Sequence, residues 1–256
     1  MKQRIISGTI LAVIMLAALL CGGFPLWFVV AVIACFSMFE LYRAAGVHND
    51  KRTWICYPIV IAVLLFCRKL TVPILIIDIV VIAFMTIYVA VYPRIKFSPS
   101  FIIILGVFYV GVLTGNIYLI RSFEDGIYYS LVYLIGCCGT DVFAYFIGSK
   151  FGKNHPFPVL SPKKTVEGCI GGAAVTTALG IVLALIMKKP VPAAILLHIF
   201  VAVFSEIGDL AASGIKRQFG IKDYGNVIPG HGGLLDRFDS TLFAGGVIFI
   251  CVTLLY

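Results

Sequence analysis

The stretch VPILIIDIVVIAFMTIYVAVY occupies residues 72–92, and Asp78 is its only charged residue. Read as a helix, these 21 residues rise about 31 Å at about 1.5 Å per residue. That matches the hydrocarbon core of a bilayer, about 30 Å thick. The run lacks the apolar–polar alternation of a barrel strand. It also lacks the polar face of a surface helix. It therefore predicts a transmembrane helix.

Eight further runs of this kind occur, at roughly 5–21, 24–42, 53–68, 100–120, 127–148, 167–187, 190–213 and 239–256. Overall the 256 residues are 61% hydrophobic and 12% charged, with a mean hydropathy of +1.06. A soluble domain carries about 25% charged residues. The composition excludes a soluble fold and predicts an all-α integral membrane protein, a polytopic helical bundle of about nine transmembrane helices. Gly22, Gly23 and Pro25 break the first two runs into a hairpin,. Pro73, Pro93, Pro99, Pro190 and Pro192 mark later boundaries,.

The start, MKQRIISGTILAVIMLAALLCGG, imitates a signal peptide, but Ala18, Leu19 and Leu20 are a poor cleavage context and another apolar run follows at once,. It reads as a retained first helix. With the N-terminus in the cytoplasm, 15 of the 20 Lys and Arg fall in inside segments, as the positive-inside rule requires. The net charge of +8 is then explained without nucleic acid. The eight Cys include no CxxC pair and read as small buried apolar residues.

Two long polar segments fall on the inside face, at about 149–166 and 214–238, and flank the seventh and eighth runs. Charges within a span default to functional hypotheses. Ser205, Asp209, Ser213 and Lys216 recur at helical spacing and make one polar stripe, with Glu206 beside it. Asp141, Tyr145 and Gly148 share a face near the end of the sixth run. Asp236 and Asp239 are three apart and share a side if the chain is helical there. Clustered carboxylates suit a hard cation such as Mg²⁺. Lys216, Arg217, Lys222 and Arg237 offer donors to phosphate oxygens. Gly230, Gly232 and Gly233 permit close backbone approach or positive φ. In SPKKTVEG, residues 161–168, Thr165 is placed to N-cap a helix with Glu167 in its first turn,. Lys163 and Lys164 can reach an anion beside it. His198 reads as a packed histidine, and Asp78 as a buried hydrogen-bonding group. Binding of anionic lipid head groups alone would explain the basic residues, but not Asp236, Asp239 and the glycines.

From Ser213 to Asp239 the motif S-x-IKR, KD-x-G, IP-x-HGGL-x-DRFD resembles the signature of the phosphatidate cytidylyltransferases, the CDP-diacylglycerol synthases. Asp141 to Lys153 and the SPKKTVEG loop are similar to the family's upstream motifs. The resemblance implies CTP and phosphatidate as substrates, which become CDP-diacylglycerol and diphosphate. It implies phospholipid biosynthesis at the cytoplasmic face of the cell membrane, a multi-pass homodimer and a Mg²⁺-dependent paired-metal centre. It carries metal binding to Asp209 and Asp236, with Asp239 as a further ligand or orienter. Catalytic positions are then Asp209, Asp236, Lys216, Arg217, Lys222 and Arg237. Substrate-binding positions are Asp141, Tyr145, Lys153, Ser161, Lys163, Lys164, Ser205, Ser213, Lys222, His231, Gly232 and Gly233. Residues 1–125 read as scaffold and dimerisation surface, and 126–256 as the catalytic region.

Three readings compete. A CTP-using polyisoprenoid-alcohol kinase would release CDP instead of diphosphate. A synthase acting on ether isoprenoid lipids would differ only in its lipid. A transporter would place its charges near the bilayer midplane, whereas here they gather at one end.

Overall fold

A computed structural model describes residues 2–228 and 232–255. Each of the nine apolar runs forms a helix: α1 Lys2–Cys21, α2 Gly23–Ala44, α3 Lys51–Phe66, α4 Thr71–Val91, α5 Pro99–Arg121, α6 Gly126–Phe151, α7 Val166–Ile186, α8 Val191–Gln218 and α9 Leu235–Leu255. No strand occurs among the described residues beyond one isolated bridge, Ile228 to Gly232. Seven of these helices are long and apolar enough to cross a membrane. This is fewer than the nine expected. In α1 the apolar part, Ser7–Cys21, is shorter. Helix α3 has 16 residues with Pro58 inside, only about 24 Å of rise.

The break between α1 and α2 falls at Gly22 and Gly23, whose φ values are 64° and 50°. Side chains other than glycine rarely adopt that region. Pro190 and Pro192 open α8 as the sequence predicts,. Helices α5 and α6 each contain a widened π-type stretch, at Gly106–Val112 and Ile135–Gly139. Such bulges recur at functional positions.

Contacts gather helix ends into two groups. At one end Gln218, closing α8, exchanges two hydrogen bonds with the backbone of Phe97, ahead of α5, at 2.7 and 2.8 Å. At the other end Arg121, closing α5, donates to Leu19 O of α1 at 2.8 Å. Lys189 there lies 2.5 Å from Asp125.

Helix α9 runs through the middle of the bundle, packed on α8, α5, α4 and α2. Leu242, Phe243, Ala244, Ile248 and Phe249 on it are fully buried. Helices α6 and α7 form a hairpin laid against α8. They leave Val142, Phe146, Ile170, Val182 and Leu185 exposed, an apolar surface suited to lipid. The hairpin is held close by small residues, as membrane helix pairs are. A side chain added at Gly172 would stand 2.8 Å from Thr140 O and 3.0 Å from Ala144 N.

Candidate active site

Thr165 does cap α7: its hydroxyl accepts from Gly168 N at 3.1 Å. The cap fixes where the chain turns and so sets Lys164 just outside the helix. Lys164 Nζ reaches α8, 2.6 Å from Asp209 Oδ2 and 2.5 Å from Glu206 Oε2. It also donates to Glu206 O at 3.2 Å. Burial alone would lower the Lys164 pKa, but the charges of Asp209 and Glu206 outweigh it and raise the ammonium above the ordinary lysine value. The lysine therefore stays charged throughout the physiological range.

A second ion cluster joins α8 to α9. Because α9 begins at Leu235, Asp236 and Asp239 fall on one face, as their spacing predicts. Lys216 Nζ lies 2.9 Å from Asp236 Oδ1 and 3.5 Å from Asp239 Oδ2. The other oxygen of Asp236 accepts from Tyr224 N at 2.7 Å and Gly233 N at 3.0 Å. Asp236 thus ties Tyr224 and Gly233 to the start of α9. Tyr224 is buried and donates its hydroxyl to Ala212 O at 3.0 Å. Burial raises its phenol far above the usual range. Gly232 has φ 91°, the positive φ that the glycine run predicts.

Helix α2 contributes a residue that sequence reasoning passed over. Glu40, 2% exposed, accepts from Leu234 N at 3.0 Å and Leu235 N at 2.8 Å. The signal was present: Glu40 is the only acid in α2, and an acid in an apolar span is a functional hypothesis by default.

A cavity of about 230 Å³ opens beside these clusters. Asp141, Tyr145, Ser161, Lys163, Lys164 and Asp209 line it, all of them sites expected from sequence. Glu206 and Cys169 also line it. Tyr145 is 71% exposed, at the side open to the bundle exterior. Asp141 Oδ2 accepts from Ser240 Oγ at 3.2 Å, which links α6 to α9. Lys153, Arg217, Lys222 and Arg237 are exposed, and Arg217 donates to Ile221 O at 3.2 Å. Ser205 and Ser213 are buried on α8, and Ser205 Oγ has no hydrogen-bond partner among the described residues. Gly233 makes its close approach to Glu40: a side chain there would meet Oε2 at 2.6 Å. Gly230 and His231 lie outside the described residues. His198 is packed, with Nδ1 2.9 Å from Ala194 O. A larger cavity, about 670 Å³, lies at the opposite end between α6, α8 and α9 and contains none of these groups.

The donor set suits a hard divalent cation. Asp141, Asp209 and Asp239 lie close enough to repel one another. Ser205, one helical turn before Asp209 on α8, has a buried oxygen with no hydrogen-bond partner among the described residues. Oxygen ligands of this kind hold Mg²⁺ through one or two carboxylates. Among the described residues, however, no three His, Cys, Asp or Glu side chains are gathered at ligating distance. Of the three expected ligands, Asp209 borders the cavity. Asp236 has hydrogen bonds on both oxygens.

The sequence profile of the cytidylyltransferase family matches residues 2–255. A phosphatidate cytidylyltransferase of Bacillus subtilis (strain 168) is 32% identical over 99% of this chain and 98% of its own length. One of Aquifex aeolicus (strain VF5) is 34% identical over 88% of this chain and 81% of its own. One of Staphylococcus saprophyticus is 38% identical over 59% of this chain and 58% of its own. With the match running from one end to the other, the chain belongs to the cytidylyltransferase family.

Proposed function

We propose that this protein is a phosphatidate cytidylyltransferase, joining CTP and phosphatidate into CDP-diacylglycerol and diphosphate in phospholipid biosynthesis. The observation that carries the reading is the meeting of the Lys164–Asp209–Glu206 cluster with a cavity at one end of an apolar bundle. A membrane-dissolved phosphate and a soluble nucleotide can meet only at such a depth. The excess of Lys and Arg at this end supports placing it in the cytoplasm.

In the reaction, a phosphate oxygen of phosphatidate attacks the α-phosphorus of CTP. The bond from that phosphorus to the bridging oxygen breaks, and diphosphate departs. The second pKa of a phosphate monoester is about 6, so the nucleophile is already ionised near neutrality. The obstacle is repulsion between polyanions. Lys163 and Lys164 at the cavity offer ammonium donors to phosphate oxygens. Exposed Lys153, Lys222, Arg217 and Arg237 extend that field outward. Tyr145, at the open side, is suited to the lipid's glycerol–acyl boundary, where aromatic side chains favour a partly wet position. Asp236 and Lys216 hold the 219–234 loop against α8 and α9. Asp209 and Asp239, with Asp236, would hold Mg²⁺, which supplies charge neutralisation of the triphosphate when bound. A homodimer joined through residues 1–125 belongs to the same proposal.

Purified protein incubated with CTP, phosphatidate and Mg²⁺ tests this. The expected products are CDP-diacylglycerol and diphosphate. Release of CDP with a phosphorylated lipid would assign a kinase instead.

A further inference from the structure

We infer that Glu40 is a positioning residue of the reaction: the carboxylate fixes the first turn of α9, and with it Asp236 and Asp239. The inference rests on the cytidylyltransferase reading and adds to it a residue from the N-terminal half of the chain.

The first N–H groups of a helix have no partner within it. Leading into α9, three successive N–H groups, on Gly233, Leu234 and Leu235, are all taken by carboxylates. Asp236 takes the first, and Glu40 takes the other two at 3.0 and 2.8 Å. Glu40 comes from 194 residues away, so α9 is capped in part by a different helix. A negative charge at a helix N-terminus is favourable in itself. Here it also fixes α9 in rotation and height against α2.

The surroundings are built around this acid. Side chains added at Gly225 or Gly233 would meet Glu40 oxygens at 2.5 and 2.6 Å. Gly225 follows Tyr224 directly, and Asp236 holds Tyr224 N and Gly233 N. Two carboxylates, Glu40 and Asp236, thus share the amides of residues 224 and 233–235. Moving Glu40 frees Leu234 and Leu235 and loosens the turn that aims Asp236 at Lys216. Glu40 borders no part of the 230 Å³ cavity. Its contacts are with the amides leading into α9, so it acts through α9.

The test compares wild type, Glu40→Gln and Glu40→Asp, purified and assayed together with CTP, phosphatidate and Mg²⁺. Amide hydrogen exchange is followed over 219–240. Glu40→Gln keeps the side-chain length but offers one strong acceptor for two amides. We expect kcat to fall at least about tenfold with KM for CTP within about twofold, and exchange at Leu234 and Leu235 to quicken. A folded Glu40→Gln with kcat within about twofold of wild type overturns the inference. So does a loss of kcat with exchange unchanged. If Glu40→Gln does not fold, Glu40→Asp decides by the same two readouts, and the Gly233→Ala, Glu40→Asp pair extends it. The shorter acid makes room for the new methyl, so the pair should exceed Gly233→Ala alone in activity; no gain overturns the inference. Absence of CDP-lipid from wild type would instead fail the cytidylyltransferase reading.

Discussion

Lys216 reaches from α8 to place its ammonium 2.9 Å from Asp236 Oδ1, and both side chains are almost wholly buried, at 10% and 2% exposure. From sequence Lys216 reads as a phosphate donor and Asp236 as a metal ligand. In the structure they pair with each other, with Asp239 3.5 Å from Lys216 as a second acceptor. Removing one partner of a buried pair leaves the other uncompensated, a loss of about 3–5 kcal/mol. Asp236→Asn should therefore lower both stability and activity. A thermal melt in detergent and the CTP assay check the two together.

Lys164 and Lys163 are neighbours with different surroundings. Lys164 is paired to Asp209 and Glu206 at 2.6 and 2.5 Å, whereas Lys163 is exposed. Lys164→Met should reduce kcat by about 100-fold or more, and Lys163→Met by about tenfold or less. Steady-state kinetics on the two variants measures the contrast.

The raised pKa of Lys164 fixes its pH behaviour. A group whose folded pKa exceeds its unfolded value contributes stability fully below the unfolded value, about 10.4 for lysine. That contribution disappears as pH rises through the higher folded value. The stability difference between wild type and Lys164→Met should hence be flat from about pH 7 to 9 and shrink only in stronger alkali. Denaturation midpoints carried from that range into stronger alkali test the sign.

Gly172 lets α7 lie against the backbone of α6. An added methyl would stand 2.8 Å from Thr140 O and 3.0 Å from Ala144 N, and backbone cannot move aside as a flexible side chain can. Gly172→Ala should cost about 1–3 kcal/mol. It should also impair activity by shifting Lys164, which sits at the head of α7. A lowered melting temperature with reduced turnover is the expected result.

The sequence carried the parts of this arrangement that are local. Each long apolar run became a helix, because the helix alone satisfies a backbone within lipid. Thr165 as a cap and Asp236 with Asp239 on one face follow from spacing a few residues long. The stripe from Ser205 to Lys216 was legible for the same reason. What the sequence did not disclose depends on distant segments. Glu40 meets amides 194 and 195 residues away, and the pairing of Lys164 with Glu206 spans 42 residues. Residue type also left Lys216 ambiguous, since an ammonium that could bind phosphate could equally neutralise two aspartates. Whether a lysine faces a ligand or a carboxylate is decided by tertiary packing.

The most direct test of the central claim follows the α-phosphorus of CTP. Purified wild type and Asp209→Asn are given phosphatidate, Mg²⁺ and CTP labelled at that atom, with parallel samples in EDTA. The account predicts that wild type moves the label into CDP-diacylglycerol, with one diphosphate released per lipid. It predicts that EDTA stops this and that added Mg²⁺ restores it. It also predicts that Asp209→Asn remains folded in the membrane fraction without turnover. Label recovered in CDP, or undiminished Mg²⁺-dependent activity in Asp209→Asn, would contradict it.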